Sequence, residues 1–80
     1  MTFTAGPGAL GIIIDSTVNG PMIYSVKPTS QLLGRVNPGD IVVSLDNIDT
    51  SQMAAPDLTL MMARRSQQPH RTIVVLRKVS

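Results

Sequence analysis

Clusters of glycine and proline cut the first half of this chain into segments too short for a long helix. Gly6-Pro7-Gly8, Asn19-Gly20-Pro21, Pro28-Thr29-Ser30 and Asn37-Pro38-Gly39-Asp40 are all turn sequences. Glycine reaches positive φ without steric cost, and proline fixes φ and removes a donor. Between the turns lie aliphatic runs. Leu10 to Ile14 contains Ile12-Ile13-Ile14, three β-branched residues in succession, which favour a strand. Met22 to Val26 reads as the next strand, with Ile23 and Val26 as its core residues. Their spacing of three breaks strict alternation, so a bulge or bend is expected near Ser25. Ile41 to Leu45 is a further strand, with Ile41 and one of Val42 and Val43 facing inward.

The rest of the chain fills in around these runs. Residues 2 to 5 fit a short edge strand. Ser30 can cap a short helix containing Leu32 and Leu33, which Gly34 can end. Asp46-Asn47-Ile48-Asp49 is a tight corner with Asn47 at positive φ, and Ile48 anchors a very short strand. A longer helix is expected from Ala55 to Arg65. Pro56 is tolerated only in its first turn. Asp57 and the pair Arg64-Arg65 sit at the dipole ends that favour them. Leu58, Met61 and Met62 recur at helical spacing and make one apolar face, while Leu60 falls off it. After a loop from Ser66 to His70, Thr72 to Leu76 closes the chain as a strand with Ile73 to Leu76 buried, and Lys78 to Ser80 should fray. The expected fold is mostly β: a small, partly open antiparallel barrel or sandwich of five to six strands with two helices.

Composition removes most chemistry. Of the 80 residues, 42% are hydrophobic and 15% charged, which argues against disorder. No cysteine is present, so disulfides and thiolate sites are excluded, and the single histidine, His70, excludes a multi-histidine metal site. No Ser or Thr is tied to His70 as nucleophile to base, and no P-loop or dinucleotide fingerprint occurs. Neither an enzyme nor a cofactor is expected. The net charge of +2 falls short of a nucleic-acid footprint. No apolar run approaches the roughly 18 residues of a membrane span. The start of the chain lacks a signal-peptide pattern, which points to the cytoplasm, with access to the inner membrane surface through partners.

In order and in motif the chain resembles a PDZ domain. Ala9-Leu10-Gly11-Ile12 matches that family's loop of any residue, hydrophobic, glycine, hydrophobic. Val36-Asn37-Pro38-Gly39-Asp40-Ile41 matches its glycine-aspartate turn into the fourth strand. Asp46-Asn47 stands at the usual corner, and a long helix and final strand follow. The resemblance covers nearly the whole chain and implies a single domain, residues 1–80, cut from a larger protein and monomeric in isolation. It also implies a function, binding the free carboxyl terminus of another protein.

The residues support that function separately. Leu10, Gly11 and Ile12 can aim successive backbone N–H groups at one point, which captures a carboxylate without a cationic side chain. A side chain at Gly11 would obstruct the backbone. A peptide can then add as a strand beside Ile12, Ile13, Ile14, Asp15 and Ser16. Its last side chain would enter a pocket of Leu10, Ile12, Ile14, Thr59 and Met62, which favours an aliphatic residue. By the resemblance, Ala55 holds the main specificity position at the start of the long helix. Many relatives have histidine there and accept a peptide hydroxyl. Ala55 cannot, so a hydrophobic third-from-last residue is expected. Ala5 is a second departure, where relatives often carry Lys or Arg near the carboxylate. Asp15 and Tyr24 face outward-pointing peptide residues. Two other readings compete. One is the substrate-sensing domain of a larger protease. The other is a basic surface of Arg64, Arg65, Arg71, Arg77 and Lys78 for anionic membrane or nucleic acid. Asp40 is read as a turn former that accepts backbone N–H bonds.

Overall fold

In the computed structural model, which describes residues 1–68 and 70–77, the β-branched runs form strands and the Leu58–Met62 face forms a helix. The strands are β1 (Thr2–Ala5), β2 (Ile12–Thr17), β3 (Gly20–Val26), β4 (Ile41–Leu45), β5 (Ile48–Asp49) and β6 (Arg71–Leu76), with α1 (Ala55–Arg64) between β5 and β6. All pair antiparallel in the order β1-β6-β4-β3-β2, with β5 beside β4. The sheet does not close into a barrel. β1 and β2 are its edges, and α1 packs against β2 and β3. None of the described helices is long and apolar enough to cross a membrane.

Two bulges set the inward faces. Ile13 pairs with Ser25 and Ile14 with Ile23, so Tyr24 is the extra residue, beside the position expected. A second shift lies between Val42 and Ser44. It turns both Val42 and Leu45 into the core despite their spacing of three, and resolves the ambiguity in favour of Val42. The core joins these to Leu10, Ile12, Ile23, Leu32, Val36, Leu58, Met62, Ile73 and Val75. Asp46 and Asn47 take φ of 51° and 66°, which makes the two-residue turn between β4 and β5.

Three expectations need correction. Ser30 to Leu33 is a series of turns, not a helix, so one helix is present among the described residues. Leu33 N donates to Ser30 O, and Arg35 and Val36 N–H groups both donate to Leu32 O, at 2.9–3.2 Å. Pro28 and Gly34 leave too few residues between them to propagate a helix past its nucleus. β6 alternates, with Ile73 and Val75 buried and Leu76 exposed, because only one face of this strand meets the core. The helix ends at Arg64, and Arg65 turns back to pair with Asp46 at 3.2 Å. The fraying expected of Lys78 to Ser80 lies outside the described residues.

Asp40 behaves as a turn former and more. Its carboxylate accepts from Asn37 N at 2.9 Å and from two nitrogens of Arg77 at 3.0 and 3.1 Å. Burial pushes its pKa up, but the bonds from Arg77 and Asn37 together outweigh burial and hold it below the ordinary carboxylate value. The basic face of the third, competing reading is not assembled among the described residues. Arg71 is buried, Arg65 and Arg77 are paired with acids, and Lys78 lies outside the described residues.

Candidate functional site

The open edge of β2 and the facing side of α1 bound a cleft of about 560 Å³. Leu10, Gly11, Ile12, Ile13 and Ile14 form one wall and Thr59, Met62 and Ala63 the other. Ile12 and Leu10 are buried and form the floor, Ile14 is half-buried, and Met62 closes the bottom from the helix. Thr59 is exposed at the rim.

Backbone orientation follows from which carbonyls are already engaged. In a planar trans peptide the C=O and the next N–H point in opposite directions, and no peptide bond among the described residues is cis. Leu10 O accepts from the Ser30 hydroxyl, so Gly11 N–H points away from Ser30. Gly11 O accepts from Lys27 N at 2.8 Å, so Ile12 N–H points away from β3, toward the open edge. Ile12 is therefore a non-hydrogen-bonded partner of Val26. By the two-residue period, the main-chain groups of Ile14 also face that edge. The arrangement requires glycine. Gly11 has φ of +69°, and a Cβ there would sit 3.0 Å from Ser30 Cα and Cβ.

The preceding loop is clamped. Gly6 N donates to Gln31 Oε1 at 2.9 Å, and Gln31 Nε2 donates to Pro7 O at 3.1 Å and Gly6 O at 3.3 Å. Gly8 N donates to Ser66 O at 2.7 Å. Arg71 Nη2 donates to both Gly6 O and Gly8 O.

Ala55, Asp15 and Ser16 lie outside the main cleft. Ala55 is the first residue of α1. With Ile14, Pro56, Thr59, Leu60 and Ala63 it lines a second, shallower and mainly apolar groove that continues from the first. Ser16 turns to the helix start. Its Oγ accepts from Ala55 N at 2.8 Å, a cap supplied across 39 positions because Ala54 offers no side-chain acceptor. Asp15, Ile13 and Tyr24 are exposed on strands β2 and β3. Among the residues not foreseen, Ala63 follows Thr59 by one helical turn and was accessible to pattern reasoning. Lys27, Ser66 and Gln67 also line the cleft, but strand register and loop folding bring them there. The loop clamps Gln31 and Arg71 carry no local signal of that role.

No sequence-family model and no curated protein sequence matches the chain. Solved structures do. The PDZ domain from choanoflagellate GIPC bound to B1AR peptide has a TM-score of 0.83 at 16% identity, over 100% of this chain and 94% of that one. The PDZ domain from choanoflagellate SHANK1 bound to GIRK3 peptide has a TM-score of 0.81 at 17% identity, over 99% and 92%. The N-terminal PDZ domain of InaD in complex with a NorpA C-terminal peptide has a TM-score of 0.75 at 19% identity, over 94% and 93%. These likenesses span the whole chain, and with its six antiparallel strands and one long helix it has the PDZ fold.

Proposed function

We propose that this domain is a non-catalytic interaction module that binds the free carboxyl terminus of another protein by strand addition beside β2. The observation that carries this reading is one convergence. The N–H groups of Gly11 and Ile12 turn away from their engaged neighbours at the end of an unpaired strand edge, beside an apolar cleft. Leu10, Gly11 and Ile12 hold the carboxylate, and Ile12 to Ser16 pair with the peptide. Structures of like fold are bound to peptides, one of them a C-terminal peptide, which supports a peptide-binding role.

Side chains of an added strand alternate. The last one enters the cleft of Ile12, Ile14, Met62 and Thr59, which selects an aliphatic residue. Its burial contributes roughly 1.5–3 kcal/mol, and the pliable Met62 tolerates Val, Leu or Ile. The third from last lies over Ile14, Ala55, Thr59 and Leu60, where the surface is apolar and no imidazole awaits a hydroxyl. A hydrophobic residue fits best there. The second from last points outward, past Ile13 and Asp15.

Backbone amide NMR titration tests the proposal. The ligands are peptides ending in hydrophobic-any-Val, Thr-any-Val and Asp-any-Val, each with its C-terminally amidated twin. Saturable shifts are expected at residues 10–16 and 59–62, strongest with the first peptide and lost on amidation. Equal shifts with acid and amide would overturn carboxylate recognition, and a lead for the Thr peptide would overturn the assigned preference.

A further inference from the structure

We infer that Arg71 is the buried cation of the carboxylate site: its guanidinium holds the loop before Gly11 closed and supplies the positive charge that a bound terminal carboxylate neutralises. This rests on the carboxylate-binding reading above.

Arg71 is 0% exposed, although it begins a strand beside the exposed His70. Burial of an arginine charge is costly unless the charge is met. The ion pairs among the described residues are Arg65–Asp46 and Arg77–Asp40, so no described acid pairs with Arg71. Its Nη2 is satisfied by Gly6 O and Gly8 O, but Nε and Nη1 are buried with no partner among the described residues. Space for the side chain comes from β1, where Ala5 stands directly opposite in the ladder.

The position of this unmet charge is informative. Gly8, whose carbonyl Arg71 holds, itself lines the cleft. The guanidinium therefore lies one backbone layer behind the wall that meets the ligand. Gly8 O is drawn toward Arg71, so the Ala9 N–H points away from it. Arg71 thus orients the same run of peptide groups that Ser30 and Lys27 orient further along. A cation behind a loop of aimed N–H groups, screened from water and paired with no described acid, favours an anion at the mouth of that loop. Arg71 is a positioning and electrostatic residue; it does not line the cleft.

Arg71→Gln and Arg71→Lys separate charge from shape. Affinities of each variant are measured for the hydrophobic-any-Val peptide and its amidated twin, with folding checked by amide spectra. Arg71→Gln should lose at least tenfold for the acid and less than threefold for the amide. Arg71→Lys should retain most of the acid-over-amide ratio. Equal losses for acid and amide in Arg71→Gln would leave Arg71 a loop clamp only and overturn the charge role. Should Arg71→Gln fail to fold, the wild-type domain gives the answer through the Arg71 Nε–Hε resonance. A shift with the acid and not the amide supports the inference, and an unmoved resonance at saturation overturns it. If the wild-type domain itself binds acid and amide equally, the carboxylate reading has failed, independently of Arg71.

Discussion

Gly11→Ala tests the geometry on which the proposed site depends. At φ of +69° an alanine costs about 1–2 kcal/mol relative to glycine. The added Cβ would also stand 3.0 Å from Ser30 Cα and Cβ. Ser30 cannot simply withdraw. Its N–H donates to Lys27 O at 3.0 Å and its hydroxyl is committed to Leu10 O, so the crowding adds on the order of 1 kcal/mol. The chain can relieve both costs by rotating residue 11 out of the left-handed region. That rotation swings the N–H groups of residues 11 and 12 away from the cleft while β2 and the core stay in place.

A carboxylate would then lose one or two charge-assisted hydrogen bonds, each about 1.5–3 kcal/mol. The expected loss of affinity for the acid peptide is therefore on the order of tenfold or more. The amidated twin, which gains less from the cradle, should change by under threefold. Gly11→Val adds a β-branched side chain and should abolish measurable binding with a weakened but intact fold. Isothermal titration on protein whose cooperative melting has been verified is the assay. A folded Gly11→Ala variant within threefold of wild-type affinity for the acid would refute the argument.

Three further outcomes follow from the structure. Ala55→His should raise affinity for the Thr-any-Val peptide relative to the hydrophobic-any-Val peptide, because a ring at the helix start can accept the hydroxyl; no gain in paired titrations would mean that Ala55 does not face the third-from-last residue. Asp40 has a folded pKa below its unfolded value, so its stabilising contribution is present above about pH 4 and disappears as pH falls through the folded pKa. Urea unfolding should show the wild type losing stability in that acidic window, and Asp40→Asn should be less stable at pH 7 with a flatter acid limb. Leu58→Ala removes a fully buried side chain from the helix face and should lower the unfolding free energy by about 2–5 kcal/mol. Denaturation would measure it, and a change under 1 kcal/mol would mean that α1 is not anchored at Leu58.

The parts of this fold that were legible in the sequence are those decided by near neighbours. Ile12-Ile13-Ile14 forms a strand and Asp46-Asn47 a tight turn for reasons contained in a few residues. The spacing of Ile23 and Val26 announced the bulge that the structure places at Tyr24. The same signal in Val42 and Leu45 leads to a second bulge. Ser30 to Leu33 shows the limit of local reading. Capping by Ser30 is real in that its Oγ accepts from Leu32 N at 3.0 Å, yet the same hydroxyl donates to Leu10 O across 20 positions. A turn serves that contact, and no propensity scale sees it.

Arg71 marks the same boundary more sharply. Between His70 and Thr72 it has the sequence surroundings of a solvated residue, and grouping it with the other arginines on one basic face was the natural local inference. Its burial depends on the small Ala5 opposite and on a loop that brings Gly6 and Gly8 carbonyls to it from more than 60 positions away. The candidate site divides along the same line. The surfaces that would touch a ligand belong to one strand edge and one helix face, and their periodicity can be read directly. The proposed cradle is main chain, so its chemistry is written in no side chain except the absence of one at Gly11. What fixes its direction is the set of carbonyls already engaged by Arg71, Ser30 and Lys27. A variant that keeps every cleft-lining residue but loses the engagement made by Arg71 or by Ser30 would look unchanged at the ligand surface, and its main-chain donors would nonetheless be aimed differently.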